Sequence, residues 1–173
     1  MFPKITLVVG GAASGKSSWA ETFVESSGKT KTYLATAQVL DSEMQAKIDL
    51  HRARRTASWA LIEAPMDLSA PLSRLDDGQI CLIDCATMWL SNHLLGDSNL
   101  ETAQTSLLSA IANCAADLVI VSNEVGHGIV PDNALARHFR EAQGRLNIVL
   151  AARADLVAQI SVGLPVVLKG ELP

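Results

Sequence analysis

The sequence of 173 residues has no paired Cys-x-x-Cys spacing, no internal repeat, no low-complexity tract and no linker-like stretch. Its three cysteines, Cys81, Cys85 and Cys114, do not have the spacing of a zinc ribbon or a redox motif. Two of them lie in apolar stretches, so all are expected to be free thiols, mostly buried. No apolar run is long enough to cross a bilayer, and Met1 to Val9 leads directly into glycines, which leaves no hydrophobic segment for a signal peptide. The expectation is a cytoplasmic protein without a membrane span. With 14 Lys and Arg against 18 Asp and Glu, the net charge is −4, which argues against a general nucleic-acid binder and confines any basic site to a local cluster. A chain of this length that is 49% hydrophobic is expected to form one domain over residues 1–173, burying about 70% of its unfolded surface.

The clearest motif is Gly10, Gly11, Ala12, Ala13, Ser14, Gly15, Lys16 and Ser17, directly after the apolar run Ile5 to Val9. It fits Gly-x-x-x-x-Gly-Lys-Ser/Thr, the phosphate-binding loop of nucleoside triphosphate enzymes. Small residues are needed because backbone N–H groups close around the phosphates, with Lys16 on the outer phosphates and Ser17 as a ligand for Mg²⁺. Ser18 to Val24 reads as a helix with Trp19, Ala20 and Phe23 on one stripe, so its N-terminus faces the anion.

Further apolar runs at Thr32–Ala35, Ile80–Ile83, Leu118–Val121 and Ile160–Val167 alternate with helical patterns. That alternation predicts an α/β fold with a mainly parallel central sheet flanked by helices, and the active edge of such a sheet is where its strands end. Leu68 to Gly78 reads as helix and turn, and Gly96 to Asn99 as a loop. The segment 134–157 reads mostly as helix, although Asn147-Ile-Val-Leu also suits a strand. Two apolar runs end in acids, Asp84 and Glu124. Asp84 is the preferred Mg²⁺ partner. Glu124 suits either a proton acceptor for an attacking hydroxyl or a cap for the turn that follows.

Between Glu43 and Arg55 the spacing suits a helix that places Lys47, His51 and Arg55 on one face, with Arg54 beside them. One reading is a solvated face with a Glu43–Lys47 pair. The other makes His51 a nucleophile, held neutral by its cationic neighbours, on a stripe that fits a polyphosphate. His93 and His138 fall in helical stretches, and His127 lies in a Gly-His-Gly loop with no such ladder.

These residues resemble, almost end to end, the bifunctional adenosylcobinamide kinase and adenosylcobinamide-phosphate guanylyltransferase family of cobalamin biosynthesis. The resemblance includes Tyr33-Leu-Ala-Thr-Ala-Gln38 and His51, Arg52, Arg55, Trp59 and Glu63. It continues through Ile83-Asp-Cys-Ala-Thr-Met-Trp-Leu-Ser-Asn92, Val121-Ser-Asn-Glu-Val-Gly126, Gly128-Ile-Val-Pro131 and Leu135-Ala-Arg-His-Phe-Arg140. It implies a P-loop NTPase fold with a RecA-like sheet. It also implies two reactions: phosphorylation of the aminopropanol hydroxyl of adenosylcobinamide by ATP or GTP, then GMP transfer from GTP through a histidine-GMP intermediate to give adenosylcobinamide-GDP. His51 matches the family's nucleophile, and Lys16 and Ser17 assist the phosphates and Mg²⁺. Thr36, Ala37 and Gln38 line the nucleotide site with Arg52, Arg54 and Arg55, and Glu63 and Asp84 contact guanosine or metal. A ring-like homo-oligomer, such as a trimer, is also implied.

One position departs from that pattern, because the family loop commonly carries arginine where this chain has Ala13. Loss of a charged hydrogen bond weakens binding by roughly 1.5–3 kcal/mol. Ala86, where the family often has a larger aliphatic residue, reads as a packing change. A plain small-molecule kinase without guanylyl transfer, and a nucleotide-dependent binding protein, are the two other readings the residues allow.

Overall fold

The computed structural model describes residues 1–38 and 58–173. In chain order the elements are β1 (Ile5–Gly10), α1 (Lys16–Ser26), β2 (Thr30–Ala35), β3 (Trp59–Glu63), the single turn α2 (Ser69–Leu72), β4 (Gln79–Asp84), α3 (Ala86–Leu95), α4 (Leu100–Asn113), β5 (Asp117–Asn123), α5 (Ala134–Arg153), β6 (Leu156–Ser161) and β7 (Leu164–Lys169). The ladder containing His51, Arg52, Arg54 and Arg55 lies outside the described residues.

The strands form one seven-stranded sheet in the order β3-β2-β4-β5-β1-β6-β7. All neighbours are parallel except β7, which runs antiparallel to β6. Continuous apolar runs suit such strands because both faces are covered. Alternate residues therefore enter different cores. Leu7, Ile83, Leu118 and Ile120 pack with Trp89 and Leu90 of α3, Leu107 and Ile111 of α4, and Leu146 and Leu150 of α5. On the other face Val8, Leu82, Val119 and Val121 pack with Ala20, Phe23 and Val24 of α1.

The structure alters one sequence expectation, adds one strand that no apolar run indicated, and bears out the mainly helical reading of 134–157. Ile160–Val167 is not one run but the end of β6, a turn at Val162–Gly163 and the start of β7; with positive φ at both turn residues, the chain reverses inside an apolar stretch. Trp59–Glu63 is a strand that the apolar runs did not reveal, because it lies at the sheet edge with Ala60, Leu61 and Glu63 exposed. Asn147-Ile-Val-Leu is helical, as part of α5, but the helix stops at Arg153 and residues 156–157 already belong to β6.

The topology gathers functional candidates at the carboxyl edge. Gly10 at the end of β1 lies between Asn123 of β5 and Ile160 of β6. Asp84 pairs with Val121 on one side and Ala35 on the other, and Ala35 pairs in turn with Glu63.

Candidate active site

The loop between β1 and α1 is built where only small residues fit. A Cβ on Gly10 would lie 2.5 Å from Ser14 Oγ and 2.7 Å from the carbonyl oxygen of Ile160. Gly15 has φ +90°, and a Cβ there would lie 3.0 Å from Gly163 Cα. The β6–β7 turn therefore packs against the loop, and Gly163 N donates to Ser14 O at 2.8 Å. Ala13 also adopts a left-handed conformation, with φ +54°.

The first turn of α1 has no side-chain cap. The N-termini of α4 and α5, by contrast, are closed by Asn99, which accepts from Thr102 N at 2.9 Å, and Asn133, which accepts from Ala136 N at 2.7 Å. An uncapped N-terminus behind a glycine loop suits an anion, because its amides and dipole both favour negative charge. Lys16 Nζ donates to the Gly11 carbonyl at 3.0 Å. Burial lowers the Lys16 pKa, while Cys85 and Asp84 act in the opposite direction. The lysine thus lies within electrostatic reach of the end of β4.

Asp84 is held there by Tyr33, whose hydroxyl donates to Asp84 Oδ2 at 2.9 Å. Thr36 is tied to the same corner. Its Oγ1 donates to the Cys85 carbonyl at 2.7 Å and accepts from Cys85 N at 2.8 Å, while its own N–H donates to the Asp84 carbonyl at 3.2 Å. Asn92 of α3 then donates through Nδ2 to the carbonyls of Thr36 at 2.8 Å and Pro65 at 2.9 Å. The end of β2, and with it Ala37 and Gln38, is thereby joined to β4 and to the chain leaving β3. Ser17 in the first turn of α1 and the Asp84 carboxylate are hard oxygen donors of the kind that suit Mg²⁺. Among the described residues no cluster of three or more His, Cys, Asp or Glu can hold a metal by itself, and a Mg²⁺ that shares its ligands with substrate phosphates does not need one.

Glu124 begins the loop after β5, and its N–H donates to the Gly10 carbonyl at 2.9 Å. Its carboxylate has divided contacts. Oε1 accepts from Gly126 N at 2.6 Å, which closes the turn that the capping alternative anticipated. Oε2 lies 3.3 Å from His127 Nδ1. Two arginines of α5 fasten the loop: Arg140 donates to the Ile129 carbonyl at 3.0 Å and to the Gly126 carbonyl, and Arg137 donates to the carbonyls of Pro131 at 3.0 Å and Asp132 at 2.7 Å. A buried network supports the end of β5. Gln143 Nε2 donates to Ser122 Oγ at 2.9 Å, and Ser122 Oγ donates to Asn147 Oδ1 at 2.6 Å. Asn147 Nδ2 donates to the Asn123 carbonyl at 3.0 Å.

The phosphate loop and Glu124 share one cavity of about 450 Å³, lined on one side by Gly11 to Ser14 and on the others by Glu124, Val125, His127 and Gly128 and by Gln159 to Val162. Larger cavities lie elsewhere: one of about 630 Å³ between α2 and α4, and one of about 500 Å³ where α3 and α4 meet the segment leading into α2. Of these, the 450 Å³ cavity alone joins the phosphate loop to a carboxylate. Glu63 is not brought into it. It ends β3, four strands from β1, and at about 4.8 Å per strand it is roughly 19 Å away, beyond reach of an ion held by Ser17.

Tyr33, Asn92, Gln143, Asn147, Arg140 and the Val162–Gly163 turn were not among the residues singled out for the site. Their partners are distant in sequence, so spacing carried no signal. Asp84 and Glu124, expected from the ends of apolar runs, both stand at the carboxyl edge of the sheet.

Residues 6–168 match the family described as cobinamide kinase / cobinamide phosphate guanyltransferase. The chain is similar to the bifunctional adenosylcobalamin biosynthesis protein CobP of Pseudomonas aeruginosa, with 42% identity over 168 residues, covering 95% of this chain and 97% of that protein. It is similar to the bifunctional adenosylcobalamin biosynthesis protein CobU of Escherichia coli at 37% identity over 179 residues, covering 94% and 98%. Among solved structures, an ATPase from the type III secretion system of pathogenic bacteria superposes with a TM-score of 0.56 at 9% identity, covering 95% of this chain and 56% of that one. This last likeness shows the P-loop NTPase fold alone.

Proposed function

We infer what the site does from its lineage, for the chain belongs to the cobinamide kinase / cobinamide phosphate guanyltransferase family. It is a bifunctional transferase of adenosylcobalamin biosynthesis, with kinase and guanylyltransferase activities. Its substrates are nucleotides and cobinamide.

The finer assignments are our own reading. In the kinase reaction ATP or GTP places its phosphates in the Gly10–Ser17 loop against the uncapped start of α1. Lys16 leaves the Gly11 carbonyl to meet them. Ser17 and Asp84, together with the phosphates, would hold Mg²⁺, which would supply positive charge against the charge developing on the leaving nucleoside diphosphate. The acceptor hydroxyl gives its proton to Glu124 Oε2, the carboxylate oxygen not used by the turn. In the guanylyl reaction His51 attacks the α-phosphorus of GTP, pyrophosphate leaves, and the phosphate of the kinase product takes GMP from the histidine. Arg52, Arg54 and Arg55 stabilise that phosphate charge. Thr36 to Gln38 and Glu63 serve the nucleoside end, which agrees with the position of Glu63 far from the phosphate loop.

The observation that carries this reading is the cavity joining Gly11–Ser14 to Glu124. Among the described residues no helix is long and apolar enough to cross a membrane. We read the protein as cytoplasmic, acting on small molecules without nucleic acid, and as a homo-oligomer, expected to be a trimer.

The deciding experiment incubates the protein with Mg²⁺ and α-labelled GTP, followed by denaturing electrophoresis and acid and base treatment. An acid-labile, base-stable label that is absent from folded His51→Ala supports the histidine-GMP step. GTP binding without label, alongside cobinamide phosphorylation, would leave a plain kinase; loss of both would leave a binding protein.

A further inference from the structure

We propose that His127 takes the proton from Glu124 during phosphoryl transfer and passes it to solvent, so that the two side chains act as a proton-exit pair. The inference rests on reading Glu124 as the proton acceptor. No established role requires His127, and its sequence neighbourhood of two flexible glycines gave no reason to single it out.

The geometry is specific. Glu124 and His127 line the same cavity as Gly11 to Ser14. Glu124 Oε1 is committed to Gly126 N at 2.6 Å, while Oε2 is 3.3 Å from His127 Nδ1. A Cβ at position 126 would lie 2.7 Å from Oε1, so a larger residue there would have to displace the carboxylate. The two side chains differ in access to water: the carboxylate is 30% exposed and the imidazole 81%. A proton received at Oε2 therefore has a wet imidazole beside it. The pair is also held in place, since Glu124 N is bonded to Gly10 and Arg140 is bonded to the carbonyls of Gly126 and Ile129.

Among the residues lining the cavity, these two are the titratable ones. Among the described residues, Lys16 of the adjoining loop and Arg140 of α5 are the nearby cations, and the β6–β7 turn contributes no charge. As the acceptor oxygen bonds to the γ-phosphorus, the bond from that phosphorus to the bridging oxygen breaks and the nucleoside diphosphate leaves. The acceptor proton moves to Glu124 Oε2, then to Nδ1 of a neutral His127, and a proton leaves Nε2 for water. An imidazole already protonated cannot accept. Histidine ordinarily changes charge between about pH 5 and 8, a carboxylate at lower pH. The acid side of the kinase profile should therefore depend on His127.

The test measures kcat for cobinamide phosphorylation from pH 5.5 to 8.5 at saturating Mg²⁺ and ATP. Wild type, His127→Gln, His127→Ala with and without added imidazole, and Glu124→Gln are compared. The proposal expects His127→Gln to be slower by about tenfold or more at pH 8, with its acid limb displaced by one pH unit or more toward acid. It also expects imidazole to restore part of the rate of His127→Ala. A His127→Gln profile superimposed on wild type, or a His127→Ala loss that neither pH nor imidazole changes, overturns it. Full activity in Glu124→Gln would instead reject Glu124 as the acceptor, and a wild type without phosphorylation would reject the kinase assignment itself.

Discussion

Replacing Val162 with asparagine should stabilise the protein. Val162 and Gly163 form the two-residue turn between paired Ser161 and Leu164, with φ +49° and +81°. Positive φ at both positions is the requirement of the hairpin turn that favours Asn-Gly. An L-residue in the left-handed region costs about 1–2 kcal/mol, and a β-branched one is less suited still because its two γ carbons crowd the backbone. Asparagine escapes much of that cost. Val162 is 86% exposed, so the apolar burial lost on replacement is at most a few tenths of a kcal/mol. The net gain is about 1 kcal/mol, equivalent to roughly 2–4 °C in Tm for a protein of this size. Calorimetry should show that rise, and urea unfolding a higher midpoint at unchanged slope. Val162→Gly should gain less, because glycine also loosens the unfolded chain. If Val162→Asn lowers Tm, the valine contributes packing over the phosphate loop that outweighs its strain, and the reasoning fails.

Other perturbations test the site. Lys16→Ala removes a charge-assisted hydrogen bond to phosphate, and nucleotide binding should weaken by about 10- to 150-fold, measurable by calorimetric titration; an unchanged Kd would mean the lysine stays on the Gly11 carbonyl. Ala13→Arg returns the family's usual cation to a position lining the cavity and should tighten triphosphate binding by about tenfold or more, whereas a flat Kd would show that φ +54° aims the new side chain elsewhere. Tyr33→Phe releases Asp84 Oδ2 and should raise the Mg²⁺ concentration needed for kinase activity severalfold; an identical Mg²⁺ titration would remove Tyr33 from any positioning role. Burial, with Asp84 alongside, pushes the Cys85 thiol from 9.0 up to about 12, so it should resist alkylation at pH 8 until the protein is unfolded. Because its folded pKa is the raised one, its contribution to stability is complete below about 9 and declines as pH rises toward about 12, which unfolding at increasing pH would register.

Much of the architecture was legible in the residues themselves. The phosphate loop announced itself because backbone closure around phosphate demands glycine and small residues at fixed spacing. β1 and β5 were legible because strands covered on both faces must be apolar throughout. Asp84 and Glu124 followed as acids at the ends of such runs. β3 was not legible, since an exposed edge strand has no burial to impose a pattern. The turn at Val162 was hidden because valine is a poor signal for a left-handed residue.

By itself, then, the sequence determined the local chemistry: a loop for phosphate, a helix to present its N-terminus, acids where parallel strands stop, and a family likeness that assigns the two reactions. Only the tertiary structure decided which of these groups meet. Strand order places β5 and β6 on either side of β1, which brings Glu124 and the β6–β7 turn to the phosphate loop and leaves Glu63 far from it. Tyr33 on Asp84, Asn92 between Thr36 and Pro65, and His127 beside Glu124 all depend on side-chain directions fixed by packing. Such contacts cost chain entropy to form and are compensated only by the assembled core, so no local stretch of sequence encodes them alone.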